Sequence, residues 1–91
     1  KGAYIELPAI TDKKLVKVTA TTRSNASKAV TVGIADESNV DVVGGAAVLW
    51  NQESGMDYTY NLSETAVNTK YRIYVGNAKN AQFVKLVLIY E

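Results

Sequence analysis

Apolar and polar side chains take turns along most of this chain, and a period of two sends successive side chains to opposite faces of a strand. Ala3, Ile5 and Leu7 alternate with Tyr4 and Glu6 until Pro8, which has no amide hydrogen to give, stops the ladder. Val16, Val18 and Ala20 share one side of a second run against Lys17, Thr19 and Thr21, the unequal faces of a half-covered antiparallel strand. After a polar connector over 23–28, Val30, Val32 and Ile34 oppose Thr31 and Gly33. Residues 36–45 are ambiguous, with a short strand expected at 40–43 and a turn at Gly44-Gly45. Residues 46–50 read as a further strand, closed by the polar stretch 51–55.

The second half is plainer. Tyr58, Tyr60 and Leu62 share a face opposite Asp57, Thr59 and Asn61, and that face is expected inward because Leu62 belongs to it. Residues 63–69 read as a polar loop with one helical turn. Tyr71, Ile73 and Val75 then oppose Arg72 and Tyr74, and a turn over 76–80 follows. The last run, 82–90, is apolar on both sides: Val84, Leu86, Leu88 and Tyr90 on one, Phe83, Val87 and Ile89 with Lys85 on the other. Such a run describes a central strand or one covered on both faces. Seven or eight short strands without a sustained helical period predict an all-β fold, a two-sheet antiparallel β-sandwich. No fixed internal period suggests a solenoid or propeller.

Composition narrows the chemistry. Ninety-one residues suit one core and therefore one domain. Ten Lys and Arg stand against nine Asp and Glu, spread along the chain, so the clustered basic face that nucleic acid requires is missing and no nucleic-acid partner is expected. No run approaches the roughly 20 apolar residues of a spanning helix, and no membrane insertion is expected. The chain has no cysteine and no histidine, which removes disulfides, thiolate zinc sites, the commonest general base and the usual triad partner. Paired carboxylates are the remaining ordinary route to catalysis, and Glu6, Glu53, Asp57 and Glu64 are scattered, so no enzyme and no cofactor are expected.

The segment GAYIELPAI with KLVKVTATT, and the closing segment YTYNLSETAVNTKYRIYVGNAKNAQFVKLVLIYE, resemble the small jelly-roll accessory domains found in exported proteins of gut anaerobic bacteria. These belong broadly with the galactose-binding-like sandwiches. The resemblance spans nearly the whole chain and is weakest over 36–55. It implies a jelly roll whose first and last strands pair, an extracellular or cell-surface setting, and a non-catalytic module that binds carbohydrate. A spacer or protein-interaction domain without a small ligand is the alternative, and a monomer is expected. The abrupt opening at Lys1-Gly2 into a strand pattern suits a unit excised from a larger exported protein.

Sugar recognition needs an exposed aromatic ring to cover the C–H face of a pyranose, and polar groups to meet its hydroxyls. Trp50, the single tryptophan, stands beside Asn51, Gln52 and Glu53 and is the first candidate, although a tryptophan that plugs the core would also end a strand there. Arg72 and Tyr74, on the face opposite Tyr71, Ile73 and Val75, are expected to be exposed and form a second candidate, or else a cross-strand packing pair. Asp36, Glu37, Asn39 and Asp41 gather oxygen-bearing side chains that suit a structural calcium, or a solvated turn. Asn25-Ala26-Ser27 and Asn61-Leu62-Ser63 both match the N-glycosylation triplet.

Overall fold

The alternating runs become seven strands in the computed structural model, which describes residues 2–24, 28–77 and 79–91. They are β1 (Tyr4–Leu7), β2 (Leu15–Thr22), β3 (Ala29–Ala35), β4 (Val48–Asn51), β5 (Asp57–Asn61), β6 (Tyr71–Val75) and β7 (Phe83–Tyr90). The Asn25-Ala26-Ser27 triplet, Ala78 of the last turn and Lys1 lie outside the described residues. Four strands form one sheet in the order β1-β6-β3-β4, and three form the other in the order β5-β2-β7. Every pairing is antiparallel. The protein is an all-β, two-sheet sandwich.

The inward faces follow from the alternation. Val30, Val32 and Ile34 of β3, Trp50 of β4, Tyr60 of β5, Tyr71 and Ile73 of β6, and Val18 and Ala20 of β2 are buried in one cluster. Each large apolar side chain contributes roughly 1.5–3 kcal/mol on burial. Strand β2 departs from simple alternation. Leu15 is buried while Val16 is only half-buried, because the ladder to β7 shifts register between Leu15 and Lys17. This bulge re-aims Leu15 into the core and leaves Val18, Ala20 and Thr22 on the same side.

Residues 63–69 form turns instead of a helical turn, with Glu64 and Asn68 at positive φ of 61° and 55°. The strand expected at 40–43 is reduced to two isolated bridges, Ala35 with Asp41 and Val43 with Ser63. Gly44 permits the second of these. Its φ is +87°, and a Cβ there would lie 1.9 Å from the Asn61 carbonyl oxygen, so only glycine lets this loop press onto the end of β5.

The terminal strands do not pair. β1 is hydrogen-bonded to β6, extended by Gly2 N–H donating to the Val75 carbonyl at 2.9 Å, whereas β7 is laid along β2 in the other sheet. Both are edge strands, facing each other across one open side of the sandwich, where the Tyr90 hydroxyl donates to the Pro8 carbonyl. This corrects the expectation of side-by-side first and last strands, and it also places at an edge the run whose pattern describes a central strand.

Candidate functional site

Trp50 enters the core because its register partner on β3 is Val30, whose side chain points inward. Its indole stacks on Tyr58 with ring centroids 5.2 Å apart and planes 11° from parallel. Its Nε1–H donates to the Tyr60 hydroxyl at 2.9 Å, and that hydroxyl donates in turn to the Val32 carbonyl at 2.5 Å. The chain of bonds joins the two sheets through the middle of the core. Burial pushes the Tyr60 hydroxyl up from 10.0 to about 12. Tyr58 takes the Asn51 N–H on its own hydroxyl at 2.8 Å. The inward reading of Tyr58 and Tyr60 holds.

The four residues from Trp50 to Glu53 therefore point in two directions. Trp50 is 0% exposed, so the ring face that stacking on a sugar requires is already covered by Tyr58. Gln52 is also fully buried: its Nε2 donates to the Asn80 carbonyl at 2.7 Å, and its Oε1 accepts from the Gln82 N–H at 2.7 Å. It staples the end of β4 to the segment entering β7. Asn51 and Glu53 point outward, and Glu53 lies 3.5 Å from the Lys28 ammonium. Strand alternation, in at 50 and 52 and out at 51 and 53, splits the candidate into a core half and a surface half.

The expected exposure of Arg72 and Tyr74 is corrected as well. Tyr74 is only 4% exposed, although it sits on the outer face of β6. Its register partner is Gly33, where a Cβ would stand 2.7 Å from the Tyr74 hydroxyl oxygen, so the missing side chain makes room for the ring. The hydroxyl donates to Asp41 Oδ1 at 2.5 Å, which ties the loop after β3 across the ring. Arg72 is half-buried on the same face, with its guanidinium carbon 4.3 Å from the centroid of Tyr4. Its Nε is buried without a hydrogen-bond partner among the described residues. Arg72 and Tyr4 thus form a cation–π pair across β1 and β6.

The oxygen-rich loop resolves into a turn. Asp36 Oδ1 accepts from the Ser38 N–H at 2.8 Å and the Val40 N–H at 3.0 Å, and Asn39 adopts a positive φ of 62°. Asp41 is held by Tyr74, and Glu37 is exposed. Among the described residues no three acidic side chains gather in one place. The other carboxylates are dispersed likewise: Glu6 lies 3.5 Å from the Lys70 ammonium, and Asp57 accepts from the Thr21 hydroxyl at 2.5 Å.

One feature the linear pattern does not disclose is a cleft of about 190 Å³ on the open side of the sandwich. Ile5 of β1, Ile73 of β6 and Phe83 of β7 line it with Asn80, and so do Trp50 and Tyr74, one residue from each of the two aromatic candidates. Ile5 belongs to the inward set yet is 53% exposed, because the opposite sheet does not reach over it. Ligand pockets run from roughly 300 Å³ upward, so this slot suits one or two side chains better than a sugar chain. Finding it requires knowing that β1 and β7 belong to different sheets, which no local signal reveals. Among the described residues no helix is long and apolar enough to cross a membrane. Comparison with known proteins found no matching family model, no similar curated protein and no similar solved structure.

Proposed function

We propose that this domain is a non-catalytic accessory module of an exported or cell-surface bacterial protein, and that it works by docking or spacing protein domains without holding a small ligand. One observation carries this reading: the aromatic and polar groups best suited to reading a sugar are spent on one another. Trp50 is closed by Tyr58 and Tyr60, Gln52 by Asn80 and Gln82, and Tyr74 by Gly33 and Asp41. Exposed apolar side chains remain on the two edge strands β1 and β7, namely Tyr4, Ile5, Val84, Val87 and Ile89. Adjacent exposed apolar side chains on edge strands are a feature of protein contact surfaces. The absence of histidine and cysteine from the chain and the scatter of its carboxylates support the non-catalytic part of the reading. The resemblance of the strand sequences to jelly-roll accessory domains supports the exported setting.

Carbohydrate binding is the second reading, and Tyr4 favours it. Its ring is 51% exposed beside Arg72 and Glu6, an aromatic face with polar neighbours on the outer side of β1. A heteronuclear NMR titration with a panel of plant and host polysaccharides separates the two. The docking reading expects no saturable shift at Trp50, the 51–53 amides, Tyr4 or Arg72. A saturable shift at Tyr4 and Arg72 that Tyr4→Ala abolishes would replace it with the carbohydrate reading.

A further inference from the structure

Strand β7 has a sequence suited to two neighbours and has one. It is eight residues long and, among the described residues, pairs only with β2. Lys14 and Glu91 exchange both backbone hydrogen bonds, Lys14 N–H to the Glu91 carbonyl at 2.7 Å and Glu91 N–H to the Lys14 carbonyl at 2.9 Å. Alternation from that pair fixes the direction of every backbone group up to the irregularity at Val84. The N–H and C=O groups of Lys85, Val87 and Ile89 face β2, and those of Leu86, Leu88 and Tyr90 face the free edge. The side chains divide as well. Leu86, Leu88 and Tyr90 turn toward the core, while Lys85, Val87, Ile89 and Glu91 are exposed.

We propose that β7 pairs antiparallel with β7 of a second copy of this chain about a two-fold axis at Leu88, joining the two three-stranded sheets into one six-stranded sheet. The proposal rests on the docking reading above and replaces the monomer expected from the sequence. The backbone parity requires Leu86, Leu88 and Tyr90 to bond among themselves, so only a few registers are allowed. With the axis at Leu88, Leu88 meets Leu88 and Leu86 meets Tyr90 twice, which gives three mutually bonded pairs. On the exposed face the same register sets Lys85 opposite Glu91 at each end and Val87 opposite Ile89 between them. The two charges that β7 itself carries on that face are thereby matched, and apolar residues oppose apolar residues.

Neighbouring registers fail on charge. An axis at Val87 sets Lys85 against Ile89 and Glu91 against Phe83, and it recruits Val84, where the ladder to β2 is irregular. An axis at Ile89 sets Glu91 against Val87. An axis at Lys85 opposes lysine to lysine. A lysine on an otherwise apolar edge blocks indiscriminate strand addition, and here it also selects the one register that supplies its countercharge. Isologous two-fold contacts of this type are the commonest route to a homodimer.

Sedimentation equilibrium over a concentration series, on the full chain and three variants, tests this. Lys85 and Glu91 are exposed, so charge reversal leaves the core intact, and circular dichroism checks each fold. The wild type is expected to dimerise with concentration. Lys85→Glu and Glu91→Lys each place like charges opposite one another and are expected to weaken the dimer by about tenfold or more. The double variant Lys85→Glu with Glu91→Lys is expected to recover the wild-type affinity. A wild type that stays monomeric throughout would overturn the proposal, and so would a dimer of equal strength in all four proteins. Failure here leaves the docking reading standing, since that reading fails on a saturable glycan response instead.

Discussion

Tyr60 holds two partners with one buried hydroxyl. Its hydroxyl accepts from Trp50 and donates to the Val32 carbonyl, so removing one oxygen leaves the buried indole N–H without its acceptor and breaks the link between the sheets. Tyr60→Phe should lower stability by about 1–3 kcal/mol, read as a drop in the urea midpoint with unchanged slope. The same hydroxyl leaves a mark on the alkaline limb. Burial raises it from 10.0 to about 12, so between those values the native state keeps a proton that the unfolded chain has lost. Its contribution is complete below pH 10 and declines through that window, at up to about 1.4 kcal/mol per pH unit. Burial raises the Tyr90 hydroxyl in the same direction. In Tyr60→Phe the alkaline decline should be shallower than in the wild type; an identical slope would show that Tyr60 is not buried. Trp50 and Tyr74 show why residue types alone mislead about a site. Both carry the chemistry of a ligand contact, and both are closed by a neighbour, Tyr58 in one case and the bare backbone of Gly33 in the other.

At the scale of elements, the turn after β3 is held by one carboxylate. Asp36 Oδ1 gathers the Ser38 and Val40 amides, and the loop then presents Asp41 to Tyr74. Asp36→Ala should cost about 1–2 kcal/mol in thermal unfolding, and Asp36→Asn, which keeps an acceptor oxygen, should recover most of it. Equal losses in both variants would mean that charge, and not turn geometry, is what matters there. Strand positions were largely legible: β6 falls on 71–75 as the alternation predicts, and β5 differs from its expected range only by the loss of Leu62. What alternation could not show was set by partners. The bulge that buries Leu15 in place of Val16 exists in the ladder to β7, and the failure of a strand at 40–43 follows from how the loop meets Ala35 and Ser63. A period of two describes one strand; it carries no information about an irregularity that two strands share.

For the whole molecule, a two-sheet sandwich was readable and its connectivity was not. Which strand pairs with which depends on sheet order, and the apolar character of β7 on both faces pointed to a central strand where the structure has an edge. That mismatch, together with the slot beside Ile5, is why the proposed docking falls on the β1 and β7 side. Trp50, packed against Tyr58 and bonded to Tyr60, forms one wall of that slot from within the core. The claim that the aromatic cluster is structural is testable through the single tryptophan, whose fluorescence reports on Trp50 alone. Acrylamide and iodide quenching of the native domain should leave a blue-shifted emission almost untouched, with polysaccharides producing no change, and quenching should appear only on unfolding. A red-shifted native emission that iodide quenches freely would place Trp50 at the surface and contradict the account.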